Sequence, residues 1–99
     1  MPYITQDVRA EFRPDLGPLE RFILRRGLTV GELNYLITCL VDDYLQVEGL
    51  DYANLNDAIG ALECAKLELY RRIAAPYEDN KRAKHGEVYN VRTQKEEKP

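Results

Sequence analysis

The stretch TVGELNYLITCLVDDYLQVEG, residues 29–49, decides the fold. Thr29 followed three residues later by Glu32 is a capping box: the hydroxyl accepts from the backbone at 32 and the carboxylate reaches back to the backbone at 29. Leu33, Ile37, Leu40, Val41, Tyr44 and Leu45 then continue at helical spacing, and Gly49 stands where a helix end needs a residue that tolerates positive φ. Val30, Leu36 and Val47 are apolar too, so the stripe is wide. A helix of a small protein that is apolar on more than one side needs cover from something else.

Working outward, Thr5 caps a short helix over residues 6–13, with Val8 and Phe12 on one face. Pro14 is expected to end it, because proline disfavours the helical conformation of the residue before it. Asp15 and Pro18 start a second segment carrying Leu19, Phe22 and Ile23, with Arg21, Arg25 and Arg26 around that stripe and Gly27 closing it. Beyond residue 49, LDYANLND (50–57) reads as a loop with Asn54 as the next cap. The following helix runs from about Leu55 to Ala74 on Leu55, Ile59, Leu62, Ala65 or Lys66, Leu69 and Ile73, with Gly60 and Ala61 permitting close approach of a neighbour, and Pro76 stops it. No alternating apolar pattern flanks a hairpin turn. The expected fold is all-α: a small helical bundle of about four helices with an extended C-terminal segment, forming one domain over 1–89 with a disordered tail over 90–99.

Bulk properties narrow the function. Ninety-nine residues give one modest core, marginal unless helices pack well or subunits associate. A net charge of −3 argues against a duplex nucleic-acid binder, which needs a basic face. Cys39 and Cys64 sit in helical pattern without a CxxC, and His85 is too isolated to complete a metal cluster. They read as buried free thiols in a reducing compartment, with no metal and no cofactor expected. No signal peptide and no membrane span is apparent, so a cytoplasmic protein is expected.

GELNY (31–35), ALECAKLELYRR (61–72) and PYEDNKRAKHGEVY (76–89), with the MPYI start, resemble an uncharacterised family of short helical proteins of bacteria and their phages. That family usually has Asn-Gly-Asp-Val-Tyr where this chain has His85-Gly86-Glu87-Val88-Tyr89. The resemblance implies a phage or prophage setting and no particular chemistry.

No nucleophile elbow, phosphate-cradling glycine loop, HExxH or cysteine–histidine arrangement occurs, so no enzyme is expected. Binding candidates are clearer. Glu63, Lys66 and Tyr70 share a helical face, with Arg71 beside it; an amine, a phenol and a guanidinium suit an anion that carries an aromatic ring. A plain surface Glu–Lys pair is the simpler reading. Arg71 and Arg72 complement the helix dipole, yet adjacent helical positions diverge, so one is expected to pair with Glu78 or Asp79 and leave the other for a ligand. Asn34 and Tyr35 follow Gly31, and weak helix formers at a helix start invite a polar contact or another chain. Tyr77 and Lys81 continue the set on a segment expected to fold back on the core.

The candidate ligand-binding residues are therefore Asn34, Tyr35, Lys66, Tyr70, Arg71, Arg72, Tyr77 and Lys81. The expected function is a non-enzymatic homo-oligomer that sequesters a small anionic, nucleotide-like ligand, countering host defence signalling in a phage setting. The alternative is an adaptor or inhibitor of a host protein, with no small ligand.

Overall fold

A computed structural model describes residues 2–91, in which helices α1 (Gln6–Arg26), α2 (Val30–Glu48), α3 (Tyr52–Leu69) and α4 (Ala75–His85) follow one another. A π-helical turn, Tyr70–Ala74, joins α3 to α4 without a break, so the chain forms three helical stretches rather than about four. No strand occurs among the described residues. The tail expected over 90–99 lies, from residue 92 on, outside the described residues.

The boundaries follow from capping. The Thr5 hydroxyl accepts from the Val8 N–H at 3.4 Å and starts α1. The capping box of α2 is complete: the Glu32 N–H donates to the Thr29 hydroxyl at 3.1 Å, and the Thr29 N–H donates to the Glu32 carboxylate at 3.0 Å. Gly27 and Gly49 close α1 and α2 at φ 83° and 107°, which a side chain would strain.

Two corrections concern proline. Pro14 does not end the first helix; Pro14 and Pro18 both lie inside α1. Each removes an N–H, which frees the carbonyls of Ala10 and Pro14. Those positions are four apart, so both losses fall on one face of the helix. Arg13 and Glu20 bracket the weakened stretch with a two-pronged ion pair at 3.0 and 3.3 Å. Likewise Pro76 does not stop the last helix. The Ala75 N–H donates to the Tyr70 carbonyl, five residues back, so the turn ahead of Pro76 is wider than an α turn. An α-helical proline there would collide with the Arg72 carbonyl, and the wider turn relieves it. Residues 77–85, expected to be extended, are therefore helical; among the described residues those from 86 to 91 follow the last helix.

Asn54 is not the cap of α3. The Asp51 carboxylate takes that role, accepting from the Asn54 N–H at 2.8 Å. The Asn54 amide instead donates to the Glu48 and Gly49 carbonyls at 2.9 and 3.0 Å, closing the end of α2 from the start of α3. At the other end of α2, Arg26 grips Glu32 at 3.0 and 2.6 Å. The Glu32 carboxylate therefore serves the capping box and the α1–α2 connection together. Its pKa falls from 4.5 to about 2, chiefly through the Arg26 hydrogen bond.

Two units, Met1–Ala65 and Lys66–Pro99, divide the chain. Among the described residues only Ala58 is buried. Leu36, Cys39, Val41 and Leu45 of α2, Ile23 of α1 and Leu55 of α3 are half-buried. The cysteines, expected to be buried, are half-buried at Cys39 and exposed at Cys64, both free. Nothing comes within 4 Å of a side chain built at Gly31 or Gly60, so the close helix approach expected at Gly60 is not made.

Two outcomes test these connections. Glu32→Gln should lower thermal stability at neutral pH. A carboxylate depressed in the folded state stabilises above 4.5 and loses that contribution as pH falls toward 2. The gap between parent and variant should therefore close over that window, read by thermal melts followed by circular dichroism. Asn54→Ala should cost on the order of 1 kcal/mol for the lost carbonyl contacts, read by the same melts at neutral pH.

Candidate functional site

The expected binding residues fall in both units. Asn34 and Tyr35 lie on α2 in the first unit; Lys66, Tyr70, Arg71, Arg72, Tyr77 and Lys81 lie in the second. Asn34 uses its side-chain oxygen to accept from the Thr38 hydroxyl at 3.1 Å, a contact along its own helix. Tyr35 hydrogen-bonds to Cys39 one turn on, and that neighbour pushes the phenol above its usual range.

Within the second unit, Arg71 pairs with Glu68 at 2.9 Å. The expected partner after the proline, Glu78 or Asp79, is engaged elsewhere. Glu78 stands beside the Tyr70 phenol, and its charge and hydrogen bond, with smaller contributions from Tyr89 and Asp79, push that phenol up. Asp79 faces Arg82 at 3.6 Å. The π turn makes this possible, since it precedes a helix whose first turn carries Glu78 back to Tyr70. Arg72 has no carboxylate partner among the described residues. Lys81 sits over the face of Tyr77, 5.5 Å from the ring centroid, the i,i+4 neighbour in α4. Tyr70 and Tyr77 are both more than half exposed. Lys66 occupies the last turn of α3.

Sequence reasoning missed a second group. Past His85 the chain turns at Gly86, φ 96°, whose N–H donates to the Arg82 carbonyl at 2.8 Å. The Glu87 carboxylate then accepts from the Val88 and Tyr89 N–H groups at 2.9 and 3.0 Å and faces Arg82 at 3.6 Å. Those backbone donors hold its pKa below the usual range. The returning segment and α4 enclose an open hollow of about 650 Å³, lined by Lys81, Arg82, His85, Val88 and Tyr89 among others. Of the expected residues only Lys81 reaches it. The pattern Gly86-Glu87-Val88-Tyr89 was the available signal: a turn residue, then a carboxylate able to bind the backbone beyond it. The lining mixes both charges, with Glu78, Asp79 and Glu87 beside Lys81 and Arg82.

No group of three or more His, Cys, Asp or Glu side chains placed to hold a metal occurs among the described residues. No described helix is long and apolar enough to cross a membrane.

Residues 1–88 match the pattern of a family described as a domain of unknown function, DUF6899. The chain belongs to DUF6899. The match covers both units up to the end of the Gly86 turn, so the π turn and α4 are part of the family domain. No curated protein and no solved structure matches the chain.

One outcome tests the Tyr70 environment. With the neighbouring negative charge gone, the Tyr70 phenol of Glu78→Gln should titrate at lower pH than in the parent, toward the ordinary value of 10. Tyrosine ring signals followed by NMR across an alkaline titration read it directly.

Proposed function

We propose that this DUF6899 chain is a non-catalytic, cytoplasmic helical oligomer that binds and withdraws a small anionic ligand carrying an aromatic ring, a nucleotide being the simplest case. The observation that carries the proposal is the arrangement in the second unit. Lys81 over Tyr77, with Arg72 uncompensated among the described residues, offers cationic charge beside exposed aromatic faces on an acidic protein. A ring stacks on a tyrosine face, and a phosphate takes the guanidinium and the amine. Tyr70, held by Glu78 at the π turn, supplies a second face, with Lys66 in the last turn of α3 and Arg71 within the π turn. Asn34 and Tyr35 belong to the other unit, on α2. In the phage setting that the family resemblance implies, sequestering such a ligand counters a host defence signal.

A second reading has its own support. The first unit exposes Val30, Leu40 and Val47 of α2 and Leu24 of α1, a surface suited to another protein. On that reading the chain is an adaptor or inhibitor of a host protein and takes no small ligand.

Calorimetry against a panel of cyclic and linear nucleotides separates them. Binding should appear for at least one nucleotide, and Arg72→Ala with Lys81→Ala should weaken it by roughly tenfold or more, about 1.4 kcal/mol. No heat with any nucleotide, together with recovery of a stable protein partner, overturns sequestration in favour of the adaptor.

A further inference from the structure

The uncovered side of α2 carries a regularity absent from the neighbouring helices. Val30, Leu33, Ile37, Leu40, Tyr44 and Val47 follow at steps of three, four, three, four and three. All six are between 38% and 86% exposed. A mean step of about 3.5 residues is the period that keeps an apolar row against a partner helix under gentle left-handed supercoiling. The corresponding row of α3 is interrupted by Lys66, and that of α1 falls out of step across Pro14 and Pro18.

We infer that α2 pairs antiparallel with α2 of a second copy of this chain, in a register that sets Ile37 against Leu40, Leu33 against Tyr44 and Val30 against Val47. The inference rests on the self-association in the proposed function and gives it a surface and an orientation.

Three observations name a second copy as the occupant. First, the step pattern reads the same in both directions. Turning the helix end for end about the midpoint between Ile37 and Leu40 lays every apolar position on another, as a two-fold interface requires. Second, charge selects the orientation. The charged side chains of α2 are all acidic: Glu32, Asp42, Asp43 and Glu48, with no basic residue in the last turn. Arg26 compensates Glu32, which leaves Asp42, Asp43 and Glu48 in the C-terminal half. Parallel pairing would bring two such ends together, with Asp43 facing Glu48 of the other copy across the seam. Antiparallel pairing sets each acidic end beside the other copy's N-terminal half, where the helix dipole is positive. Third, the size fits. The row spans about 27 Å at the helical rise. Its exposed side chains, flanked by half-buried Leu36 and Val41, present several hundred Å² per copy, the order of the roughly 800 Å² per partner of a standard interface.

The test places a charge, and then its complement, across the two-fold axis. It is read by light scattering at micromolar concentration, with circular dichroism for helix content. The parent should scatter as at least twice the 11.5 kDa of one chain. Ile37→Lys should reduce that mass, by setting an ammonium group against an apolar layer. Adding Leu40→Glu should restore it, because in the antiparallel register position 37 of one copy faces position 40 of the other. Asp42→Lys, away from the seam, should keep the parent's mass. A parent that scatters as a single chain overturns self-association itself. An Ile37→Lys chain that keeps the parent mass overturns the seam, and a double variant that stays dissociated overturns the register. Should the single variant lose its helix content, oxidation decides instead. With Cys39→Ser and Cys64→Ser in place, mixed chains carrying Leu33→Cys or Tyr44→Cys should cross-link to each other. Dominant self-linking of each chain would overturn the antiparallel arrangement.

Discussion

An amphipathic helix in water is held mainly by what covers its apolar face, and this chain covers little of its own. In proteins most of a helix's stability comes from packing its amphipathic face rather than from intrinsic propensity. Ala58 is the only buried residue among those described, while α2 leaves seven large hydrophobic side chains substantially open. Covering that face is the constraint on which everything else in the first unit depends. The caps, the Arg26–Glu32 grip and the Asn54 contacts set where helices begin and how connections run. None of them supplies burial.

Much of the backbone was legible in the sequence. Thr5, the Thr29–Glu32 box, Gly27 and Gly49 each act locally, through one or two hydrogen bonds or a permitted φ, and such effects survive whatever packs around them. The prolines were not legible in that way. Their cost is also local, but at Pro14 and Pro18 it falls on one exposed face where water reaches the freed carbonyls, and at Pro76 the preceding turn widens to absorb it. Asn54 was misplaced for a related reason. Asp51 and Asn54 both favour caps, and only the position of the α2 carbonyls decides which of them starts the helix.

The candidate site was half legible. Tyr70, Arg71, Arg72, Tyr77 and Lys81 were singled out from residue type alone, and the Lys81–Tyr77 contact follows from i,i+4 spacing within α4. The partner of Arg71 could not be read, because Glu68 competes with Glu78 for it and the π turn gives Glu78 to Tyr70. The Arg82–Glu87 closure was missed because it needs the chain to reverse after His85, which depends on Gly86 adopting positive φ.

The π turn carries a consequence for how this surface is encoded. A turn with one extra residue advances the phase of everything after it by about 100° relative to an uninterrupted α-helix. The azimuth at which α4 presents Tyr77 and Lys81 is therefore written in the number of residues between Tyr70 and Ala75, in a turn that Pro76 widens. Removing one residue there would repoint the whole of α4 while leaving its composition intact. A chain that keeps every aromatic and every cation would then present Tyr77 and Lys81 in a different direction from Tyr70 and Arg72.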